Sequence, residues 1–290
     1  MPTLFTEKGV PYSVVHLKQP ANAEAAAAAA IRNVSSQPLL QAAPSEGAGA
    51  GVQWDGGRIL NGAKAEECQF PHQVAFITNF NTFCGGSLIG ARWVLTAAHC
   101  VFDNAQWILV LAGSANWASA PVQAYAARGY LHGDYNASYL VNDVALLDLG
   151  ADLPLDDCLQ PVDLETQGCD NDDLAGEQAV TSGWGYTSGN THVLEDWLQY
   201  VDTEIVRNEY CLSFYGNITV ADTTVCSVSP VGASGTLCGG DSGGPLVWQA
   251  TGRQMGINSF VASRGCTAGW PSGYARVPCF VQWIEAVQAL

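Results

Sequence analysis

Residues 239–245 read Gly-Gly-Asp-Ser-Gly-Gly-Pro. A serine with glycine on both sides suits a nucleophile. Glycine removes the Cβ atoms that would block a substrate, and it lets backbone N–H groups converge on one point. The pattern G-x-S-x-G also marks the strand-to-helix elbow of α/β-hydrolases, where the histidine follows the serine. All five histidines here, His16, His72, His99, His132 and His192, precede Ser242, so that architecture has no base.

The base therefore lies upstream. The best candidate sits in Thr-Ala-Ala-His-Cys, residues 96–100, where small residues pack around His99 and Cys100 can pin the turn. A carboxylate follows in Asn-Asp-Val-Ala-Leu-Leu-Asp-Leu, residues 142–149. Asp143 opens an apolar strand that carries it inward, where an unpaired carboxylate is costly unless it meets a donor such as an imidazole N–H. The chain order is His, Asp, Ser.

Around these segments, short apolar stretches alternate with Gly, Asn, Asp and Pro. Residues 74–78, 87–89, 93–97, 107–111, 144–149, 178–181 and 245–248 read as strands too short to be helices, which predicts an all-β sandwich or barrel. Residues 279–290 instead place Phe280, Ile284, Ala286 and Val287 at helical spacing, which predicts a C-terminal helix.

Composition sets the limits. With 290 residues, 48% hydrophobic and 13% charged, the chain supports a sizeable core and is no disordered coil. Its net charge of -16 argues against nucleic acid and anionic membrane as partners, and no apolar run approaches a bilayer span. Ten cysteines without CxxC pairs point to disulfides and an oxidising compartment rather than zinc. The first 30 residues show no apolar segment with a basic flank, so secretion is expected without a visible signal. Residues 1–58 contain no cysteine, and Lys8, Lys18, Arg32 and Arg58 balance Glu7, Glu24, Glu46 and Asp55. They read as a flexible leader, with the alanine run of residues 24–30 a solitary helical turn or disordered. The acidic cluster 170–173 lacks the spaced ligands of a calcium loop and reads as a solvated loop.

The chain resembles the chymotrypsin-like, trypsin-family serine endopeptidases. The matching pieces are RILNG from Arg58, CGGSLI from Cys84, WVLTAAHC from Trp93, DVALL from Asp143, GWG from Gly183, GGDSGGP from Gly239 and GYARV from Gly273. They occur in the family's order across residues 59–290; the leader has no counterpart. The resemblance implies two perpendicular six-stranded β-barrels with a C-terminal α-helix and the active site between them. It further implies His99, Asp143 and Ser242 as the triad, and the N–H groups of Gly240 and Ser242 as the oxyanion hole. Ser259 would support the buried aspartate and line the substrate groove.

By the same resemblance, cleavage after Arg58 by a trypsin-like protease frees an Ile59 amine that pairs with Asp241, and the leader then departs, having no disulfide to hold it. Cys84 would pair with Cys100, Cys238 with Cys266, Cys211 with Cys226 and Cys169 with Cys279, which leaves Cys68 with Cys158. Thr236 takes the place of the aspartate that a trypsin uses to bind Lys or Arg. With Leu237, Val261 and Ser272 it suggests an elastase-like pocket for small aliphatic residues, and a chymotrypsin-like preference is the alternative. Protein and peptide substrates, the activating protease and protein inhibitors are the partners implied, for a monomer without cofactor or metal. Two rivals compete: a non-catalytic homologue, which typically lacks a triad residue present here, and a disulfide-rich adhesion module, which leaves residues 239–245 idle. Sequons stand at Asn33, Asn136 and Asn217.

Overall fold

The computed structural model describes residues 1–36, 62–79, 82–102, 105–169, 174–186, 193–217, 219–229, 237–262 and 269–290. The leader opens with β1 (Leu4–Phe5), β2 (Pro11–His16) and α1 (Ala23–Ser36). The first half of the body carries β3 (Ala63–Lys64), β4 (Gln73–Thr78), β5 (Phe83–Gly90), β6 (Trp93–Thr96), β7 (Ile108–Ala112), β8 (Val122–Tyr125), β9 (Arg128–His132) and β10 (Ala145–Asp148). The second half carries β11 (Gln178–Gly183), β12 (Gln199–Val206), α2 (Asn208–Tyr215), β13 (Thr224–Val228), β14 (Pro245–Trp248), β15 (Arg253–Phe260) and β16 (Ser272–Arg276). A 3₁₀ turn, Val277–Phe280, leads into the final helix α3 (Val281–Gln288). Among the described residues no helix is long and apolar enough to cross a membrane.

The strands form two antiparallel sheets. In the second, the order β11-β14-β15-β16-β13-β12-β3, with β11 also pairing β12, closes six strands into a barrel with β3 appended. The first runs β1-β2-β9-β10-β6-β5-β4-β7-β8 and stays open, which corrects the expectation of two six-stranded barrels. The chain passes from β8, paired with β7, through Ala126 and Ala127 to β9, paired with β10. The other edge of β9 takes leader strand β2, so the sheet runs on to β1 instead of pairing back to β8.

Every residue of β4 and β7 is buried, because both faces of these strands are covered. Val74, Phe76 and Val110 point into the main core with Leu88, Leu95 and Leu146. Ala75, Ile77, Leu109 and Leu111 point the other way, into a cluster with Trp117 and Trp184 and with Ala27, Ala30 and Val34 of α1. Such two-sided burial explains why QVAFIT and ILVLA read as continuous apolar runs rather than alternating ones. Each fully buried Val, Leu, Ile or Phe contributes roughly 1.5–3 kcal/mol relative to exposure.

Residues 1–36 are thus no flexible leader: they are a hairpin and a helix packed on the first sheet, and the alanine run lies inside a 14-residue helix.

Candidate active site

His99 sits in the 3₁₀ turn Ala98–Cys100, directly after β6. Ala97 and Ala98 are fully buried, and only residues this small let the turn press against the core. The Cys84–Cys100 disulfide ties the turn to β5. Asp143, two residues before β10, is 0% exposed. Its Oδ2 lies 2.7 Å from His99 Nδ1, and its Oδ1 accepts the His99 backbone N–H at 2.8 Å. Ser259 Oγ donates to Oδ2 at 2.6 Å. Three donors compensate the burial of this carboxylate, and two of them orient a single histidine.

Ser242 occupies the loop before β14, clamped between the two sheets. Its carbonyl accepts the Gly85 N–H at 2.8 Å from the first sheet, and the Gly243 N–H donates to Asn258 O at 2.8 Å in the second. Asn258 Nδ2 further donates to Asp241 O at 2.9 Å. Gly243 has φ +81, and a Cβ there would lie 2.5 Å from Gly85 O and 3.2 Å from Ala97 N, two residues before His99. The loop bearing Ser242 therefore abuts the turn bearing His99. Gly240 has φ +96, and among the described residues neither its N–H nor that of Ser242 has an acceptor.

Asp241 lies beneath the loop, 1% exposed. It accepts the Gly185 N–H at 2.7 Å and the Cys238 N–H at 2.9 Å. Burial pushes its carboxyl up to about 6 against the pull of those two donors. Cys84, His99 and Cys100 place three potential metal-ligating atoms within 4.8 Å of one another, but the two sulfurs are joined as a disulfide and have no thiolate to offer.

Of the pocket residues, Leu237 is 2% exposed in a cluster with Val225, Met255 and Tyr274, against which Val261 packs. Ser272 begins β16 and is buried, and Ser259 and Val261 flank Phe260 at the end of β15. The Phe260 ring covers Gly273, at the spot a Cβ would need. The ring is held edge-on by Tyr215 at 4.9 Å, whose hydroxyl donates to Pro271 O. Sequence reasoning passed over Phe260 and Asn258. The pairing of Ser259 with Val261 hinted at the first, and nothing local marks the second. Thr236, Arg58, Ile59, Cys266, His192 and the cluster 170–173 lie outside the described residues. Disulfides also join Cys68 to Cys158, Cys169 to Cys279 and Cys211 to Cys226, and Cys238 is disulfide-bonded.

Comparison with known proteins decides the family, because the sequence profile described as Trypsin matches residues 59–284. The chain belongs to the trypsin family of serine proteases. It is similar to brachyurin of Leptuca pugilator, 36% identical over 230 residues that cover 78% of this chain and 97% of that protein. Serine protease SP24D of Anopheles gambiae is 38% identical over 239 residues, covering 80% of this chain and 82% of the relative. Among solved structures, HL collagenase superposes with a TM-score of 0.71 at 32% identity, covering 80% of this chain and 99% of that one. As a trypsin-family member the protein is a serine endopeptidase, a hydrolase of peptide bonds, with a disulfide-braced body.

Proposed function

We propose that the protein is a secreted endopeptidase made as a zymogen, working through His99, Asp143 and Ser242 and cutting after small aliphatic residues. The observation that carries this reading is the buried Asp143 carboxylate holding both the ring and the backbone of His99, with Ser259 as its third donor. With Nδ1 held by Asp143, Nε2 is the nitrogen assigned as base. Ser242 Oγ attacks the scissile carbonyl carbon as its proton passes to His99 Nε2. The oxyanion meets the N–H groups of Gly240 and Ser242, each such donor being worth roughly 10²–10³ in rate. His99 then protonates the leaving amine as the C–N bond breaks. Water releases the acyl group from Ser242 by the reverse sequence.

In the uncut chain Ile59 is an amide and has no charge to offer Asp241, whose burial disfavours ionisation. Cleavage after Arg58 creates an ammonium that can pair with it, and the cost of burying either charge alone makes the pair a switch. A pocket narrowed by Val261, backed by buried Leu237, supports small aliphatic residues before the cut. The name of one similar protein, collagenase, adds collagen to the substrates worth assaying.

The test is labelling of the cut protein by an organophosphate, expected on Ser242 alone, followed by matched peptides differing only before the cut. Absence of labelling overturns the mechanism. Faster turnover after Phe or Tyr than after Ala or Val overturns the narrowed pocket in favour of chymotrypsin-like preference, and turnover confined to Lys or Arg overturns both.

A further inference from the structure

The leader has far more structure than a mask for residue 59 needs. Strand β2 pairs with β9 over five residues, Tyr12 opposite His132 through His16 opposite Arg128. Past the ladder, Lys18 N–H donates to Gln106 O at 2.8 Å. At the other end the Pro11 carbonyl accepts two donors from the body, Gly133 N–H at 3.1 Å and Trp283 Nε1–H of α3 at 3.0 Å. Val15 is buried in the main core. Helix α1 adds a second anchor: Ala27, Ala30 and Val34, one face of the helix, are 5%, 3% and 4% exposed, and Tyr125 hydroxyl donates to Ala23 O at 2.9 Å.

The body is shaped to receive this segment. Gly133 has no left-handed backbone to account for its lack of a side chain. A Cβ there would lie 2.5 Å from Pro11 Cβ and 2.8 Å from the Pro11 carbonyl carbon, so a residue of the protease body is a glycine where the leader crosses it. Removing the leader would bare the polar edge of β9 and take Ala27, Ala30 and Val34 out of the apolar cluster they share with Trp117 and Trp184. Among the described residues, the hydrogen bonds and packing contacts that hold residues 1–36 are made by residues away from the cut after residue 58.

We propose that the edge of β9 and the apolar cluster beside Tyr125 form a dedicated binding surface for the leader, which stays on the protease as a non-covalent light chain after activation. The recognition is strand addition, with main-chain hydrogen bonds for affinity and the Gly133–Pro11 crossing for register. This replaces the departure expected from the missing cysteine, and in its natural setting it rests on the proposed cleavage after Arg58.

The experiment nicks the full chain with trypsin and compares a denaturing gel with native mass spectrometry. Two bands on the gel with a single native mass equal to their sum support retention; residues 59–290 alone in the native spectrum overturn it. One band on the gel means that the cleavage reading has failed. A variant carrying a site-specific protease sequence between residues 37 and 57 then decides retention by the same two masses. Two variants probe the surface at about 1 µM protein: Gly133→Val from the body side and Val15→Asp from the leader side, where no residue of the body changes. Each is expected to lower leader affinity by at least about tenfold. Should Gly133→Val fail to fold, Val15→Asp decides alone, and a leader held as tightly as in the parent overturns the proposed surface.

Discussion

Replacing His72 by leucine in the uncut chain should change stability in a manner that depends on pH. His72 precedes β4, and its Nε2 is buried with no hydrogen-bond partner among the described residues, although part of the residue remains accessible. Burial lowers its pKa from 6.5 to about 4. Between those values the imidazole is protonated in the unfolded chain and neutral in the folded one, so its contribution, complete above pH 6.5, is lost as pH falls toward 4. At 1.36 kcal/mol per pH unit the ceiling is about 3 kcal/mol, and solvent at the accessible edge of the ring brings the expectation to roughly 2–3 kcal/mol. Asp241, raised to about 6 by burial, has the opposite slope: the folded state holds its proton longer, and stability falls as pH rises from about 4 to 6. The two slopes largely cancel in the parent. Urea unfolding at pH 4.0, 5.5 and 7.5, in a Ser242→Ala background to prevent self-digestion, isolates the histidine as the difference between variant and parent, because Asp241 and His132 are common to both. The variant should match the parent near neutrality and exceed it by roughly 2–3 kcal/mol at pH 4. A difference that stays constant across the range would refute the buried neutral histidine.

Ser259→Ala removes the 2.6 Å donor to Asp143 and should lower kcat about tenfold while thermal stability changes little; an unchanged kcat contradicts a positioning role. Gly243→Ala puts a Cβ on a backbone of φ +81, against the carbonyl of Gly85, and should cost about 2–4 kcal/mol by urea denaturation; a cost below about 0.5 kcal/mol would show that the clamp yields. Val261→Gly should raise kcat/KM for Phe over Ala at least about tenfold, and no change in that ratio would place the pocket wall elsewhere.

The chemistry of this protein is written locally. Thr-Ala-Ala-His-Cys, Asp143 at the head of an apolar strand and the glycine-flanked Ser242 each state their requirements within a few residues, and their order along the chain excludes the α/β-hydrolase alternative. The short apolar runs give the β class for the same reason, since strand character is a property of neighbouring residues. Strand partnership is not. The strand that extends the first sheet past β9 is β2, more than 110 residues earlier in the chain. The clues in the leader were faint: the alternation in PYSVVH, and Ala27, Ala30 and Val34 spaced along one face of a low-complexity run. Alanine says little about burial by itself, and it acquires meaning only within the cluster that Ala27, Ala30 and Val34 share with residues of the body. Asn258 and Phe260 are similar cases, an amide and a ring with no local signature, whose roles exist because tertiary packing carries Asp241 and Gly273 to them. Residue types and their order specified the reaction; long-range contacts, which no local pattern encodes, decided which edge was paired and what each buried group touches.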